Sequence, residues 1–395
     1  MTLRLFDTLR GEVVPFEPAG RNVQMYVCGI TPYDSTHLGH AATYLAHDLV
    51  VRRLEDHGHD VKMVRNFTDV DDSILPKARQ LGVDYLELAA DEIARFRADM
   101  EVLGTRPAAH EPRATESIDA IVEIIGRLLA DGYAYTVDGY TFFDATSFPG
   151  YGRLSRLGPE EMVGISRERG GRPDDPRLRH PIDFVLWQPS VSDEPVWSAP
   201  FGPGRPGWHI ECSAMAMSWL GPSIDLHGGG RDLIYPHHEC EIAQTESCTG
   251  QPFSRHWMHT GLVGYQGEKM SKSLGNLVFV SELVKQHDPR AIRWAVLAHH
   301  YRADWDWHDE DMLAASADLD RLVEAASRPS GPPPGGLVDD VRDALDDDLD
   351  TPTAWRLLRR HTDAVLAGGE DPTSATALVT GAELCGIDLT APLAQ

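Results

Sequence analysis

The stretch VQMYVCGITPYDSTHLGH, residues 23–40, decides the fold. Its apolar first part (23–30) predicts a buried strand. A helical pattern follows from Leu38 to about His57, where Gly58 ends it, and VKMVRNF (61–67) predicts a second strand. A strand, a turn, a helix and a strand within about 45 residues form a βαβ unit, which implies a parallel sheet.

The composition is typical of a soluble globular protein, with 42% hydrophobic and 25% charged residues. A length of 395 residues exceeds one ordinary core, so we expect two domains with insertions. The sequence contains no apolar run of about 18 residues, so it predicts no membrane span. The N-terminus lacks the apolar segment of a signal peptide, and we therefore expect a cytoplasmic protein.

The net charge of −25 disfavours nucleic acid as a partner unless a local basic face exists. Residues 337–395, which read as helical, are acidic as well, with 12 acidic and 4 basic residues. The best candidate for a basic face is a run of arginines within a segment rich in Gly, Pro and Arg (146–182). Its members are Arg153, Arg156, Arg167, Arg169, Arg172, Arg177 and Arg179.

Two short motifs are candidates for phosphate binding. His37-Leu38-Gly39-His40 lies at the predicted start of a helix, where unpaired N–H groups and the helix dipole favour anions, although a surface turn would explain it equally well. Lys269-Met270-Ser271-Lys272-Ser273 is flanked by glycines and holds two of only five lysines. Its two ammonium groups could neutralise a pyrophosphate leaving group, or it could be an ordinary basic loop.

Together, HLGH and KMSKS resemble the signatures of class I aminoacyl-tRNA synthetases. The resemblance implies an α/β fold: a Rossmann-like class I synthetase catalytic domain with a parallel sheet and an insertion, followed by a C-terminal helical region. It also implies that ATP, with Mg²⁺, adenylates an amino acid. The predicted segments are the first half of the catalytic domain (1–145), a connective insertion (146–182), the second half (183–280), a helical stem (281–328), a linker (329–336) and a small C-terminal helical domain (337–395).

Three residues distant in sequence suggest a metal site. Cys28, Cys212 and His237 each lie at a predicted strand end or in a neighbouring helix, and two thiolates with one imidazole suit Zn²⁺. Three protein ligands leave a position for a substrate thiolate, which would select cysteine over serine because zinc prefers sulfur. Glu241, four residues after His237, is either a fourth ligand or lies behind the ligands. The alternative is that each cysteine is a small buried apolar residue, as we expect of Cys240, Cys248 and Cys385.

These residues resemble the cysteinyl-tRNA synthetase superfamily, over the first strand to about residue 310 and again at ALDDDLDTPTA (344–354). One branch charges tRNA, and the other is a mycothiol ligase that joins cysteine to the amine of glucosaminyl-inositol. Three features resemble the ligase: the segment CGITPYDSTHLGHAATY, the segment ERGGRP (168–173, where the ligases have ERGGDP) and the short acidic tail. Glu241, GYGRLSRLG (150–158) and EKMSKSLGN (268–276) lean toward the synthetase.

The resemblance implies an ATP-dependent, amide-forming cysteine ligase with an amino-sugar acceptor. The alternatives are a cysteinyl-tRNA synthetase, a paralogue that gives cysteine to another amine, and a non-catalytic zinc-binding regulator. The implied partners are L-cysteine, ATP and a small amino sugar, while tRNA is disfavoured. We expect no membrane association and a monomeric protein.

Residue by residue, the resemblance assigns the following roles. His37, His40, Lys269 and Lys272 would act on the phosphates, and Cys28, Cys212 and His237 would hold zinc, with Glu241 as a further ligand. The substrate and its adenylate would contact Gly29, Ile30, Thr31, Thr43, Asn66, Phe67, Thr68, Trp208, Gly230, Arg231, Asp232 and Val263. Core packing would also account for Trp208, and helix capping for Asp232.

Overall fold

A computed structural model describes residues 2–33, 36–270 and 275–391. The strands are β1 (Arg4–Asp7), β2 (Glu12–Pro15), β3 (Asn22–Ile30), β4 (Asp60–Phe67), β5 (Ala134–Val137), β6 (Tyr140–Phe143), β7 (Phe184–Gln188), β8 (Arg205–Pro206), β9 (Leu226–Gly230), β10 (Trp257–Thr260), β11 (Val263–Tyr265), β12 (Glu268–Lys269) and β13 (Trp305–Trp307). The α-helices are α1 (Leu38–Asp56), α2 (Ile74–Leu81), α3 (Tyr85–Val102), α4 (Ile118–Ala130), α5 (Pro159–Glu168), α6 (Trp208–Leu220), α7 (Glu239–Thr249), α8 (Val280–Leu283), α9 (Pro289–Leu297), α10 (Asp309–Ala326), α11 (Leu337–Asp346), α12 (Thr351–Ala367) and α13 (Ser374–Leu384).

The central sheet has four parallel strands in the order β10-β9-β3-β4. Strand β3 lies in its middle, and Val23, Met25 and Val27 are fully buried. A strand covered on both faces is expected to read as a nearly continuous apolar run, as this one does. The β3–α1–β4 unit predicted from residues 23–67 is confirmed, and so is the parallel α/β fold.

Helix α1 begins where the sequence predicts, because His37 caps it: the ring Nδ1 accepts a hydrogen bond from the backbone N–H of Gly39 (3.1 Å). The helix ends at Asp56 with His57 as its C-cap, and Gly58 follows with φ of +83°, a conformation that glycine adopts without strain. The phosphate motif therefore stands at a true helix N-terminus.

A second, antiparallel sheet has the order β5-β6-β7-β8, and β6 and β7 flank the segment 146–182. This segment, which the sequence predicts as a connective insertion, contains α5. The helix begins with Pro159 at its first turn, and the Glu161 carboxylate accepts from the N–H of Gly158 (2.8 Å). The apolar pattern is weak because Met162 is the only buried residue of α5.

Residues 280–297 do not form one continuous helix. The structure has α8 and α9, separated by residues 284–288. Pro289 is compatible only with a helix start, and Asp288 caps α9 by accepting from the N–H of Arg290 (2.9 Å).

The C-terminal helices α11–α13 share one hydrophobic core with α1, α9 and α10. Trp294 of α9 stacks on Trp355 of α12 at 4.3 Å between ring centroids. Arg53 of α1 forms a buried ion pair with Asp346 of α11 (3.0 Å). The predicted division into segments remains a prediction. Within the described ranges, no helix is long and apolar enough to cross a membrane.

Candidate active site

A cavity of about 750 Å³ opens at the carboxyl ends of β3, β4 and β9. Ligands of open parallel sheets gather at this edge, because loops and helix N-termini converge there. The cavity brings together most residues that the sequence resemblance singled out: Cys28, Gly29, Ile30, Thr31, His37, His40, Thr43, Asn66, Thr68, Trp208, Cys212, Gly230, Asp232, His237 and Val263.

Two other predicted residues, Phe67 and Arg231, do not line the cavity. Phe67 is fully buried and packs edge-on against Phe96, with 5.7 Å between ring centroids, so it supports the strand from behind the cavity. Arg231 pairs with Asp304. The backbone of Lys269 belongs to β12, and Lys272 lies outside the described residues.

Four side chains form a buried candidate metal centre. The ligand atoms of Cys28, Cys212, His237 and Glu241 all lie within 4.8 Å of one another. Cys28 comes from the end of β3, Cys212 from α6, and Glu241 from the first turn of α7. Two sulfur atoms, one imidazole nitrogen and one carboxylate oxygen suit Zn²⁺ in number and kind.

Two further histidines adjoin this centre. His238 Nε2 lies 3.3 Å from the Cys28 Sγ, and His227 Nε2 lies 3.2 Å from Glu241 Oε1. With Cys28 and Glu241 they form a second, overlapping group of candidate ligands. The sequence interpretation missed both, although His238 directly follows His237 in the printed sequence. His238 Nδ1 also contacts His259 Nε2 at 2.7 Å, so this ring is held in place from its other side.

Burial favours the neutral forms of Cys28, Glu241 and His237 when no ion is bound. Desolvation raises the pKa of the Cys28 thiol well above its usual value, with a further increase from the hydrogen bond to Cys212. Desolvation also raises the pKa of Glu241, which a hydrogen bond to Cys28 partly offsets, and lowers that of His237. A cation entering the cluster would replace thiol and carboxyl protons, which is how metal binding couples to pH.

Two residues hold His237 in position. Trp208 stacks on its ring, with centroids 4.4 Å apart, and His209 Nδ1 lies 3.0 Å from His237 Nδ1. The contact at Nδ1 leaves Nε2 directed toward Glu241, whose Oε2 is 3.7 Å away. A partner on the second ring nitrogen is the usual means of orienting a histidine ligand. The sequence interpretation missed His209, whose only signal is its place beside Trp208.

Replacing His209 with alanine should weaken zinc binding by about ten- to hundredfold, because the His237 ring would lose its orienting partner. The measurement is competition for zinc against a chromogenic chelator. His110→Ala is the matched control, because His110 stacks on Trp219 outside the cavity. Equal zinc affinity of both variants would contradict the role given to His209.

The floor of the cavity is built by the close approach of β3 and β4. The N–H of Gly29 donates to Asn66 Oδ1 (2.8 Å), and Asn66 Nδ2 donates to Thr68 Oγ1 (3.2 Å). The Thr31 hydroxyl donates to Asp71 Oδ2 (3.1 Å), a residue that the sequence interpretation missed. Each polar side chain is fixed by another, so the floor is preorganised for a small polar substrate.

The N-terminus of α1 forms another side of the cavity. The rings of His37 and His40 stack with centroids 3.8 Å apart, and a side chain at Gly39 would collide with the His37 ring (2.8 Å). The Thr43 hydroxyl lies 2.9 Å from that of Thr260 on β10. This arrangement exposes a helix N-terminus to the cavity, as an anion site requires.

Most arginines of the insertion are neutralised locally. Arg153, Arg167, Arg169, Arg177 and Arg179 form ion pairs with Glu246, Asp174, Asp232, Asp175 and Asp144, respectively. The pair of Arg169 with Asp232 (3.5 Å) also joins the insertion to a residue predicted to contact the adenylate. The basic face that the alternative of tRNA binding requires is therefore largely balanced by acids.

The fold and the site together define a class I synthetase catalytic unit. The profile described as "tRNA synthetases class I (C) catalytic domain" matches residues 15–317. The similarity extends further to L-cysteine:1D-myo-inositol 2-amino-2-deoxy-alpha-D-glucopyranoside ligases. That of Streptosporangium roseum is 48% identical over 95% of this chain and 93% of the relative, and that of Saccharomonospora viridis is 50% identical over 96% and 94%. The chain belongs to this ligase family.

Solved structures agree on the fold. Methionyl-tRNA synthetase of Mycobacterium tuberculosis, in complex with methionyl-adenylate, superposes with a TM-score of 0.65 at 18% identity, covering 92% of this chain and 89% of that one. A LeuRS–tRNA–LeuAMS complex from Agrobacterium radiobacter K84 also gives 0.65, at 12% identity over 94% and 84%. The class I synthetase architecture predicted from HLGH and KMSKS is confirmed.

Proposed function

We propose that the chain is an ATP-dependent cysteine ligase that forms cysteinyl-adenylate and transfers cysteine to the amine of glucosaminyl-inositol, a step of mycothiol biosynthesis. The observation that carries the proposal is the cluster of Cys28, Cys212, His237 and Glu241, whose first three members line the same cavity as the N-terminus of α1. A thiol-selective metal centre and an anion site in one cavity suit cysteine and ATP. Relatives at 46–50% identity over nearly their whole lengths support the choice of acceptor.

In the first step, the cysteine carboxylate attacks the α-phosphorus of ATP, and the bond to the bridging oxygen breaks to release pyrophosphate. Cys28, Cys212 and His237, with Glu241, would hold zinc, whose charge favours a bound thiolate. His37 and His40 would donate to phosphate oxygens at the start of α1, while Lys269 and Lys272 would neutralise the leaving group. The groups that would stabilise the transition state are held in place by the fold, so we expect positioning to supply most of the rate enhancement.

Recognition of the adenylate would use the cavity floor between β3 and β4 together with residues at and after the end of β9 and at the start of α6 and β11. Gly29, Ile30 and Thr31 would contact the aminoacyl phosphate, with Asn66 and Thr68 beside the amino acid and Trp208 against it. Gly230 and Asp232 would flank the ribose, and Val263 the adenine. The observations that support these roles are that all these residues line one cavity and that Asn66 binds the Gly29 backbone.

In the second step, the acceptor amine attacks the carbonyl carbon of the mixed anhydride. An amide bond forms, AMP leaves with the electron pair of the carbon–oxygen bond, and the nitrogen loses one proton. This reaction requires the nitrogen in its neutral form and close to the carbonyl, so the acceptor must enter the same cavity as the adenylate.

The test is AMP release by the purified protein with ATP, Mg²⁺ and cysteine, with glucosaminyl-inositol or tRNA as the acceptor. We expect release to depend on glucosaminyl-inositol, and we expect serine in place of cysteine to give no release. Release with tRNA alone would establish the synthetase instead. Absence of ATP–pyrophosphate exchange with cysteine would reject both reactions.

A further inference from the structure

One wall of the cavity plays no part in the adenylation chemistry above. It is formed by β6, β7 and β8 of the antiparallel sheet, where Phe142 is paired with Val185 and Gln188 with Arg205. Tyr140, at the start of β6, lines the same cavity. The wall thus combines two aromatic rings with planar polar groups, a composition that suits a small ligand with apolar and hydroxyl faces.

An ordered cluster of three side chains completes this wall. The Arg177 guanidinium lies 3.7 Å from the centre of the Tyr140 ring and forms a two-point pair with Asp175, through Nε (2.8 Å) and Nη2 (2.5 Å). Nη1 of Arg177 takes no part in this pair. The pair lowers the pKa of Asp175 to about 2, so its oxygens are hydrogen-bond acceptors at neutral pH.

The cluster stands at the boundary between the cavity and a second, open cleft. Both are lined by Gly171, Arg172, Asp175 and Arg177, and the outer cleft continues over Pro173, Asp174 and Pro176. A ligand longer than one ring could therefore extend from the cavity outward past Arg177. None of the four candidate metal ligands lines the outer cleft.

The wall also adjoins the residues proposed to bind the adenylate. The Asp72 carboxylate binds Gln188 Nε2 (3.3 Å) and pairs with Arg205, and it follows Thr68 on the cavity floor by four residues. Trp208, beside the metal cluster, follows Arg205 by three residues. A ligand resting on the wall would therefore have one end near the adenylate.

We infer that Tyr140, Phe142, Asp175, Arg177 and Gln188, together the acceptor wall, bind the polyhydroxyl portion of the amine acceptor. The inference rests on the proposed function. Hydroxyl groups both donate and accept hydrogen bonds, and the wall offers fixed donors from Arg177 and Gln188 beside fixed acceptors from Asp175. The aromatic rings supply a flat surface for the C–H face of a sugar ring.

Charge distinguishes this ligand from a polynucleotide. A site for RNA phosphates would present uncompensated cations, since phosphate contacts dominate such binding. Here Arg177 is paired with Asp175, and Arg205 with Asp72 and Glu194. The wall is nearly neutral and richly polar, as an uncharged polyol requires.

The test compares Arg177→Gln with Arg179→Gln. Arg179 is a close match, because it lies 4.0 Å from the centre of the Tyr135 ring and pairs with Asp144, yet it does not line the cavity. We expect Arg177→Gln to raise the KM for glucosaminyl-inositol by roughly ten- to hundredfold, the usual range for a lost charged hydrogen bond. Arg179→Gln should leave that KM within about twofold.

ATP–pyrophosphate exchange with cysteine, which needs no acceptor, separates the two proposals. Exchange at the unaltered rate in Arg177→Gln shows that the variant folds and adenylates, so that a raised acceptor KM supports the acceptor wall. The inference would be overturned, and the proposed function would stand, if Arg177→Gln kept both exchange and the acceptor KM, or if Arg179→Gln raised the acceptor KM equally. Lack of exchange in the unaltered protein would overturn the proposed function itself.

Discussion

Replacing Cys212 with serine should abolish zinc binding and raise the KM for cysteine by at least about a hundredfold. Replacing a residue that only supports a metal ligand already lowers metal affinity or activity by about ten- to hundredfold, and loss of a ligand itself should cost more. Serine nearly preserves the shape of the side chain but replaces a soft sulfur ligand with a hydroxyl, which zinc binds poorly. Cys212 is 2% exposed and belongs to a cluster of four ligand atoms within 4.8 Å. The measurements are zinc content by mass spectrometry of metals and the cysteine dependence of pyrophosphate exchange.

Cys248→Ser is the control for Cys212→Ser. Cys248 is buried to a similar degree (3% exposed), but its sulfur contacts only the carbonyl of Ile124 at 4.0 Å among the described hydrogen-bond partners. Both variants bury a hydroxyl in place of a thiol, so any general loss of stability is common to them. If Cys212→Ser retained zinc, or if both variants lost cysteine affinity equally, the four-residue centre would be the wrong assignment.

The sequence was sufficient to predict the β3–α1–β4 unit of the central sheet and to bring several of the predicted residues to one edge of it. Parallel strands bring their carboxyl ends to one edge, so Cys28, near the end of β3, and His37, which caps α1, had to lie close together. Thr68, after β4, joins them for the same reason. Periodicity and helix-start signals are local, and they were strong in this half of the chain.

The surroundings of the ligands were beyond sequence reasoning. His209 acts on His237 across 28 residues, and His227 meets Glu241 only because β9 and α7 pack together. No local pattern distinguishes such a histidine from one that merely fills the core. These contacts are set by tertiary packing, which a single sequence does not display.

Charge pairing in the insertion is a similar case. The arginine run suggested a basic face, but the partners of Arg153 and Arg169 are Glu246 and Asp232, far along the chain. A run of like charges in sequence therefore became a set of ion pairs in space. The inference about RNA changes accordingly, because net local charge decides such binding.

Replacing Gly29 with alanine should reduce cysteine adenylation by at least about a hundredfold, the usual effect of misplacing catalytic groups by about 1 Å. A Cβ at this position would lie 1.6 Å from the carbonyl oxygen of Asn66, which belongs to a neighbouring strand and cannot rotate away. The ends of β3 and β4 would have to separate. Cys28 directly before Gly29 and Ile30 directly after it would move with the strand.

Gly126→Ala is the control for Gly29→Ala. Gly126 lies within α4 with open space around it, and alanine there should stabilise the helix by about 0.5–1 kcal/mol. Pyrophosphate exchange and the melting temperature should be measured for both variants. We expect Gly29→Ala to lose exchange and to melt at a lower temperature, because separating the strands also breaks the 2.8 Å hydrogen bond from Gly29 to Asn66. Normal exchange in Gly29→Ala would mean that adenylation does not depend on the close approach of these two strands, and the adenylate would then have to be placed elsewhere in the cavity.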